Sequence, residues 1–153
     1  MPKNKNDIDL DGWDLHRAAE EDKVDIARAL IEDIGNEVDA RNQKGHTPLL
    51  VAVVFNSFEV ARLLIEHGAE VGGRREPDGW TPLHWAAREN FLEVTRLLIE
   101  HRAEVDAKSN IGWTPLHMAA SENSSDVARL LIEKSAEVDA KSNIGWTPLH
   151  MAA

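Results

Sequence analysis

Thr81-Pro82-Leu83-His84-Trp85-Ala86-Ala87 is the stretch on which the reading of this chain turns. Threonine is a favoured helix N-cap and proline is preset for the first helical position, so a helix opens at Pro82. The stretch recurs as Thr114 to Ala120 and Thr147 to Ala153. A partial copy, Thr47-Pro48-Leu49-Leu50, has leucine in place of histidine. An earlier one, Gly12-Trp13-Asp14-Leu15-His16, lacks the Thr-Pro pair and is one residue shorter. Glycines 12, 45, 79, 112 and 145 precede the five copies at intervals of 33, 34, 33 and 33 residues, each followed by tryptophan except Gly45-His46. Ala103 to Ala120 is identical to Ala136 to Ala153, eighteen residues in a row. The early repeats are too irregular for a pure consensus design, so the identity reads as a recent internal duplication.

Outward from the motif, each repeat continues in the same way. The first helix carries Leu83, Ala86 and Ala87 and ends near Asn90, whose equivalents are Asp22, Asn56 and Asn123. Asn and Asp tolerate the left-handed conformation best among non-glycine residues, so this column predicts a tight turn between two helices. The second helix places Val94, Leu97 and Leu98 on one face at i, i+3 and i+4. Ala103 to Ala107 then leads into an extended loop that reaches the next Gly-Trp. Gly72 to Asp78 holds one extra residue, which predicts a longer, distorted hairpin there.

A 33-residue period with Thr-Pro-Leu-His-x-Ala-Ala resembles the ankyrin repeat. The resemblance covers about residues 12–153. It implies an all-α ankyrin-repeat solenoid of stacked helix-turn-helix units joined by β-hairpin-like loops, no unit being stable alone. The expected organisation is a leader over 1–11 and repeats over about 12–44, 45–78, 79–111, 112–144 and a partial 145–153. The resemblance implies that the motif histidine hydrogen-bonds within and between loops. It also implies glycine at the end of the second helix. Gly68 fits, whereas Arg102 and Ser135 do not and should carry mild strain of roughly 1 kcal/mol. The chain stops inside the first helix of a fifth repeat, so a fragment of a longer array is expected. Leu130, Leu131 and Leu149 would then be exposed, a route to self-association.

Composition narrows the chemistry. Of 153 residues, 17 are Lys or Arg and 27 Asp or Glu, a net charge of -10. That argues against sequence-independent binding to nucleic acid or an anionic membrane. No cysteine is present, which removes disulfides, thiol nucleophiles and Cys-ligated metals. No apolar run approaches 18 residues, and Met1 to Asp7 has no apolar core of the kind a signal peptide needs. The expected setting is the cytoplasm, with the nucleus not excluded. Metalloprotease, phosphate-loop and nucleophile-elbow motifs are absent, so no catalytic residue, cofactor or metal site is nominated. His84, His117 and His150 lie one repeat apart, each in its own turn rather than around a common centre.

Two charge columns differ in meaning. Arg28, Arg62, Arg96 and Arg129 sit among acids three residues before and four after, which reads as paired side chains on an outer helix face, the alternative being a docking stripe for a basic partner. The loop column is more informative. Arg41, Arg74, Lys108 and Lys141, with Lys44 and Arg75 nearby, place cations along one edge of an acidic protein. Beside them run Asn110, Ile111, Asn143 and Ile144, then a tryptophan column of Trp13, Trp80, Trp113 and Trp146 that His46 breaks. Trp85 and Met118 lie further along the inner-helix side. The tryptophans have two readings: indoles packed across neighbouring hairpins, or an aromatic contact surface beside cations, since Trp and Arg dominate interface hot spots. Lys108 and Lys141 are in reach of cation–π contact under either. In the ankyrin family these positions face partners on the concave side. The resemblance therefore implies a non-catalytic module that binds another protein, and the cationic and aromatic columns point to a partner surface of mixed apolar and acidic character. The alternative is a spacer or regulatory part of a larger enzyme, channel or effector.

Overall fold

The structure, a computed structural model, describes residues 8–152. Residues 1–7 of the expected leader, and Ala153 at the end of the fifth repeat's helix, lie outside the described residues. The chain divides into two units, Met1–Glu70 and Val71–Ala153.

In the first unit α1 spans Leu15–Glu20, α2 Val24–Ala29, α3 Pro48–Val54 and α4 Phe58–Glu66. α2 runs on into a π-helical turn, Leu30–Ile34, closed by Gly35 at φ 79°. In place of the missing Thr-Pro, Asp14 caps α1 by accepting the Arg17 N–H at 2.7 Å. Thr47 caps α3 through the Leu50 N–H. Packing runs between α1 and α3, and between α2 and α4. The Asp22 carboxylate reaches from the turn of the first repeat to the Val60 N–H at the start of α4.

In the second unit α5 spans Pro82–Arg88, α6 Leu92–Glu100, α7 Pro115–Ser121, α8 Ser125–Glu133 and α9 Pro148–Ala152. First helices α5, α7 and α9 pack in sequence, and α8 packs on α6 and α7. Leu83, Val94, Leu98, Val127 and Leu131 are fully buried between them. Asp22, Asn56, Asn90 and Asn123 all adopt φ between 51° and 57°, as the turn column predicts. Arg102 and Ser135 stand at φ 70° and 69°, in the left-handed region that favours glycine.

The hairpin with the extra residue is longer by one. Arg75 bonds Trp80 across five positions, where Ser109–Trp113 and Ser142–Trp146 close across four. One expectation is corrected at the C-terminal end. Leu130 and Leu131 are buried, because they face α6 and α7 of repeats already present and need no fifth repeat to cover them. Ile132, Val138 and Leu149 are exposed there, the last 79% accessible. With Leu116, Ala119 and Pro148 they line an open groove of about 340 Å³.

Candidate functional site

The motif histidines come first, since they set the hairpins in place. Thr81 accepts the His84 N–H, and the His84 Nδ1 accepts the Thr81 N–H at 3.1 Å, a reciprocal cap. With Nδ1 occupied as an acceptor, Nε2 carries the proton and donates to the Trp113 carbonyl at 2.7 Å, in the next hairpin. Thr114 and His117 repeat this arrangement toward the Trp146 carbonyl at 2.8 Å. In the first unit His16 Nε2 lies 2.8 Å from the His46 carbonyl. His84 is fully buried, and desolvation pushes its pKa down to about 4. A neutral imidazole used on both edges is a structural strut. Among the described residues no group of three or more His, Cys, Asp or Glu is placed to hold a metal ion.

Hairpins of the second unit are tied edge to edge. The Asn110 N–H donates to the Asp78 carbonyl and the Asn143 N–H to the Ile111 carbonyl, each at 2.9 Å. Their side-chain amides donate to the Pro77 and Asn110 carbonyls. Gly112 is required here: it has φ 81°, and a Cβ on it would sit 2.8 Å from the Asn143 backbone nitrogen. The asparagines thus join hairpins, while Ile111 and Ile144 between them stay exposed, Ile144 at 74%. Lys108 and Lys141 are exposed on the same edge. Arg74 is exposed too, and its guanidinium donates to the Lys108 carbonyl, so this cation bridges two hairpins.

The tryptophans differ from one another. Trp80 and Trp113 are half-buried and stack on the histidines of their own motifs, at 6.3 and 6.5 Å between ring centroids. Trp146, 47% exposed, is tilted against His150 at 6.2 Å. Met118 is corrected: it is 3% exposed and belongs to the core, so it offers nothing to a partner. Its unbranched side chain is covered where the larger Trp85 in the same column is only half-buried.

Trp85 stands edge-on to Trp80 at 4.8 Å. Arg75 lies 4.9 Å over the Trp85 ring and 6.0 Å over Trp80. From the last turn of α5, Arg88 lies 5.4 Å over Trp85 and 5.8 Å over Trp80. Burial, and then the positive charge of Arg88, lower the Arg75 pKa from its ordinary value. Sequence reading nominated Arg75, Trp80 and Trp85 but missed Arg88. The signal was its i, i+3 spacing from Trp85, which puts both on one helix face. Among the described residues the cations seated over indoles are arginines, including Arg17 over Trp13 at 4.1 Å, rather than Lys108 or Lys141.

In the first unit the nominated residues surround a separate feature. Arg41, Lys44 and His46 line an open groove of about 830 Å³ with Arg17, Val51 and Phe55. Arg41 donates to the Gly45 carbonyl at 2.8 Å within its own hairpin.

No helix among the described residues is long and apolar enough to cross a membrane. A family model described as ankyrin repeats, in three copies, matches residues 15–109 and 105–153. A search of curated proteins finds no match to the chain.

Proposed function

The chain belongs to the ankyrin-repeat family, whose repeats are in general protein–protein interaction modules, and on that premise we propose that it is a non-catalytic module that binds another protein through its hairpin edges and first helices. The observation that carries this is the hairpin edge of the second unit. A chain of net charge -10 sets Lys108 and Lys141 in the open beside exposed Ile111, Ile144 and Trp146. Backbone and asparagine hydrogen bonds hold the hairpins that carry these side chains in one register, so the ordering cost of binding falls on the side chains and not on the backbone. Exposed isoleucine in quantity is costly to leave in water, and its place beside cations matches a partner surface of apolar and acidic residues. Arg41 and Lys44 extend the same chemistry in the first unit, on the wall of its groove. No residue is assigned a catalytic role.

The test is capture of a partner, followed by kinetics. Replacing Arg41, Lys44, Lys108 and Lys141 with glutamine should slow association about tenfold and flatten its salt dependence, since rim charges act mainly on the on-rate. An unchanged rate and salt slope would exclude the electrostatic part. Loss of binding in a Trp80, Trp113, Trp146→Ala variant that keeps its helical circular dichroism would place the contact on the hairpin edge. Retention of the same partner by that variant would remove the tryptophans from it.

A further inference from the structure

We infer that the recognition centre of the second unit is the Arg88 guanidinium, held on the Trp80–Trp85 pair, and that it receives a carboxylate from an acidic segment of the partner. This rests on the reading of the chain as a protein-binding module and names the group that the module selects.

Four residues build the cluster, and three of them break the repeat. The equivalents of Arg75 are Asn42, Ser109 and Ser142; those of Trp85 are Arg17, Val51, Met118 and Met151; those of Arg88 are Glu20, Val54 and Ser121. Trp80 alone follows its column. The departures converge on one place, where the hairpin with the extra residue brings Arg75 over Trp85. Repeats copied for stacking alone would not need this combination, since the neighbouring repeat stacks with Ser109, Met118 and Ser121 instead.

The two arginines are not equivalent. Arg75 is already satisfied by Asp78, whose carboxylate takes bonds from both its Nε and Nη2. Among the described residues Arg88 pairs only with the exposed Glu89 carboxylate, an ion pair at 3.6 Å from its Nε and beyond hydrogen-bond distance. Its main chain is fixed, because the Ser124 hydroxyl donates to the Arg88 carbonyl at 3.1 Å. A guanidinium seated over two indoles keeps its planar fork free at the edge, the geometry that binds a carboxylate through two parallel hydrogen bonds. Two like charges share the indole pair: burial first, and then the charge of Arg88, lower the Arg75 pKa, and an arriving anion relieves the second of these. Among the described residues the Trp85 Nε1–H is buried without an acceptor. The indole faces supply apolar contact for a residue flanking the acid.

The test uses the whole chain to select from a phage-displayed library of random dodecapeptides, followed by titration of the selected peptides. The selected peptides should share an Asp or Glu beside an apolar residue. Changing that acid to its amide should weaken binding to the wild type about tenfold, and to Arg88→Gln less than about twofold. Arg88→Lys, which keeps the charge but loses the fork, should fall between them. Arg96→Gln, an arginine on an outer face, should behave as wild type. Circular dichroism checks that each variant is folded. An amide penalty that persists on Arg88→Gln, or selected peptides without an acid, would overturn the assignment. If binding fails on a Lys108, Lys141→Gln variant but not on Arg88→Gln, the assignment falls while the hairpin reading stands. If the wild type selects no peptide, both fall.

Discussion

At the scale of single residues, the backbone conformations of Arg102 and Ser135 are the clearest handle on stability. Both sit at φ near 70°, where a Cβ is disfavoured and glycine is not. The equivalent Gly68 takes φ 88°. Arg102→Gly should therefore stabilise the fold by about 0.5–1 kcal/mol, raising Tm by roughly 2–3 °C in a chain this long. A lower melting temperature would contradict the strain argument. The opposite sign is expected at Asn90, whose side chain accepts the Val127 N–H at 3.2 Å besides taking the left-handed turn. Asn90→Ala should cost about 1–2 kcal/mol, read from urea unfolding. His84 makes stability depend on pH. Its pKa is about 4 in the folded protein against 6.5 ordinarily, lowered first by burial and also by nearby Arg74 and His117. Its contribution is present above pH 6.5 and is lost as pH falls toward 4, because the unfolded chain then binds a proton the folded one refuses. The full loss is about 3 kcal/mol. His84→Leu, which copies the leucine at Leu50, should lower stability at pH 7 yet flatten its decline between pH 6.5 and 4. An equally steep decline in the variant would assign the pH dependence to other groups.

Elements were legible in the sequence wherever the determinants are local. Thr-Pro openings, Asn turns and the apolar faces of second helices depend on residues within one or two turns, and each falls where the pattern puts it. Asp14 shows the limit of the motif: without Thr-Pro, α1 still gains a cap, and starts from the aspartate instead. What the sequence did not disclose depends on contacts between elements. Met118 and Trp85 share a column, but only packing against neighbouring helices decides which of them is covered. Arg88 meets Trp85 through local helix spacing, but it meets Trp80 and Arg75 only because the lengthened hairpin just before α5 folds back against that helix. Leu130 and Leu131 are buried through α6 and α7, although the chain's end invited the opposite reading. The capping box of α7 offers a direct check on the local part. Thr114→Ala removes the acceptor for the His117 N–H and disturbs the imidazole that reaches Trp146. It should cost about 1–2 kcal/mol and loosen the last hairpin.

For the molecule as a whole, stability should be distributed unevenly along the chain, as a sum over repeats and their neighbours. Among the described residues the second unit holds three reciprocal Thr–His caps, at α5, α7 and α9, and two hairpin-to-hairpin links through asparagine. In the first unit the slot of the second repeat is Leu50, α1 and α2 have six residues each, and α2 unwinds into a π turn. α9 has five residues and an exposed Leu149. Short helices repay little of their nucleation cost from their own hydrogen bonds and rely on burial. Amide exchange should therefore be slowest in α6, α7 and α8, whose apolar faces are covered by helices before or after them. It should be at least about tenfold faster in α1, α2 and α9, a difference of about 1.4 kcal/mol in local opening. Mass-spectrometric exchange at neutral pH measures this directly. Uniform protection from α1 to α9 would mean that the whole chain opens in a single step, and that the capping boxes and hairpin links add nothing beyond the stacking common to every repeat.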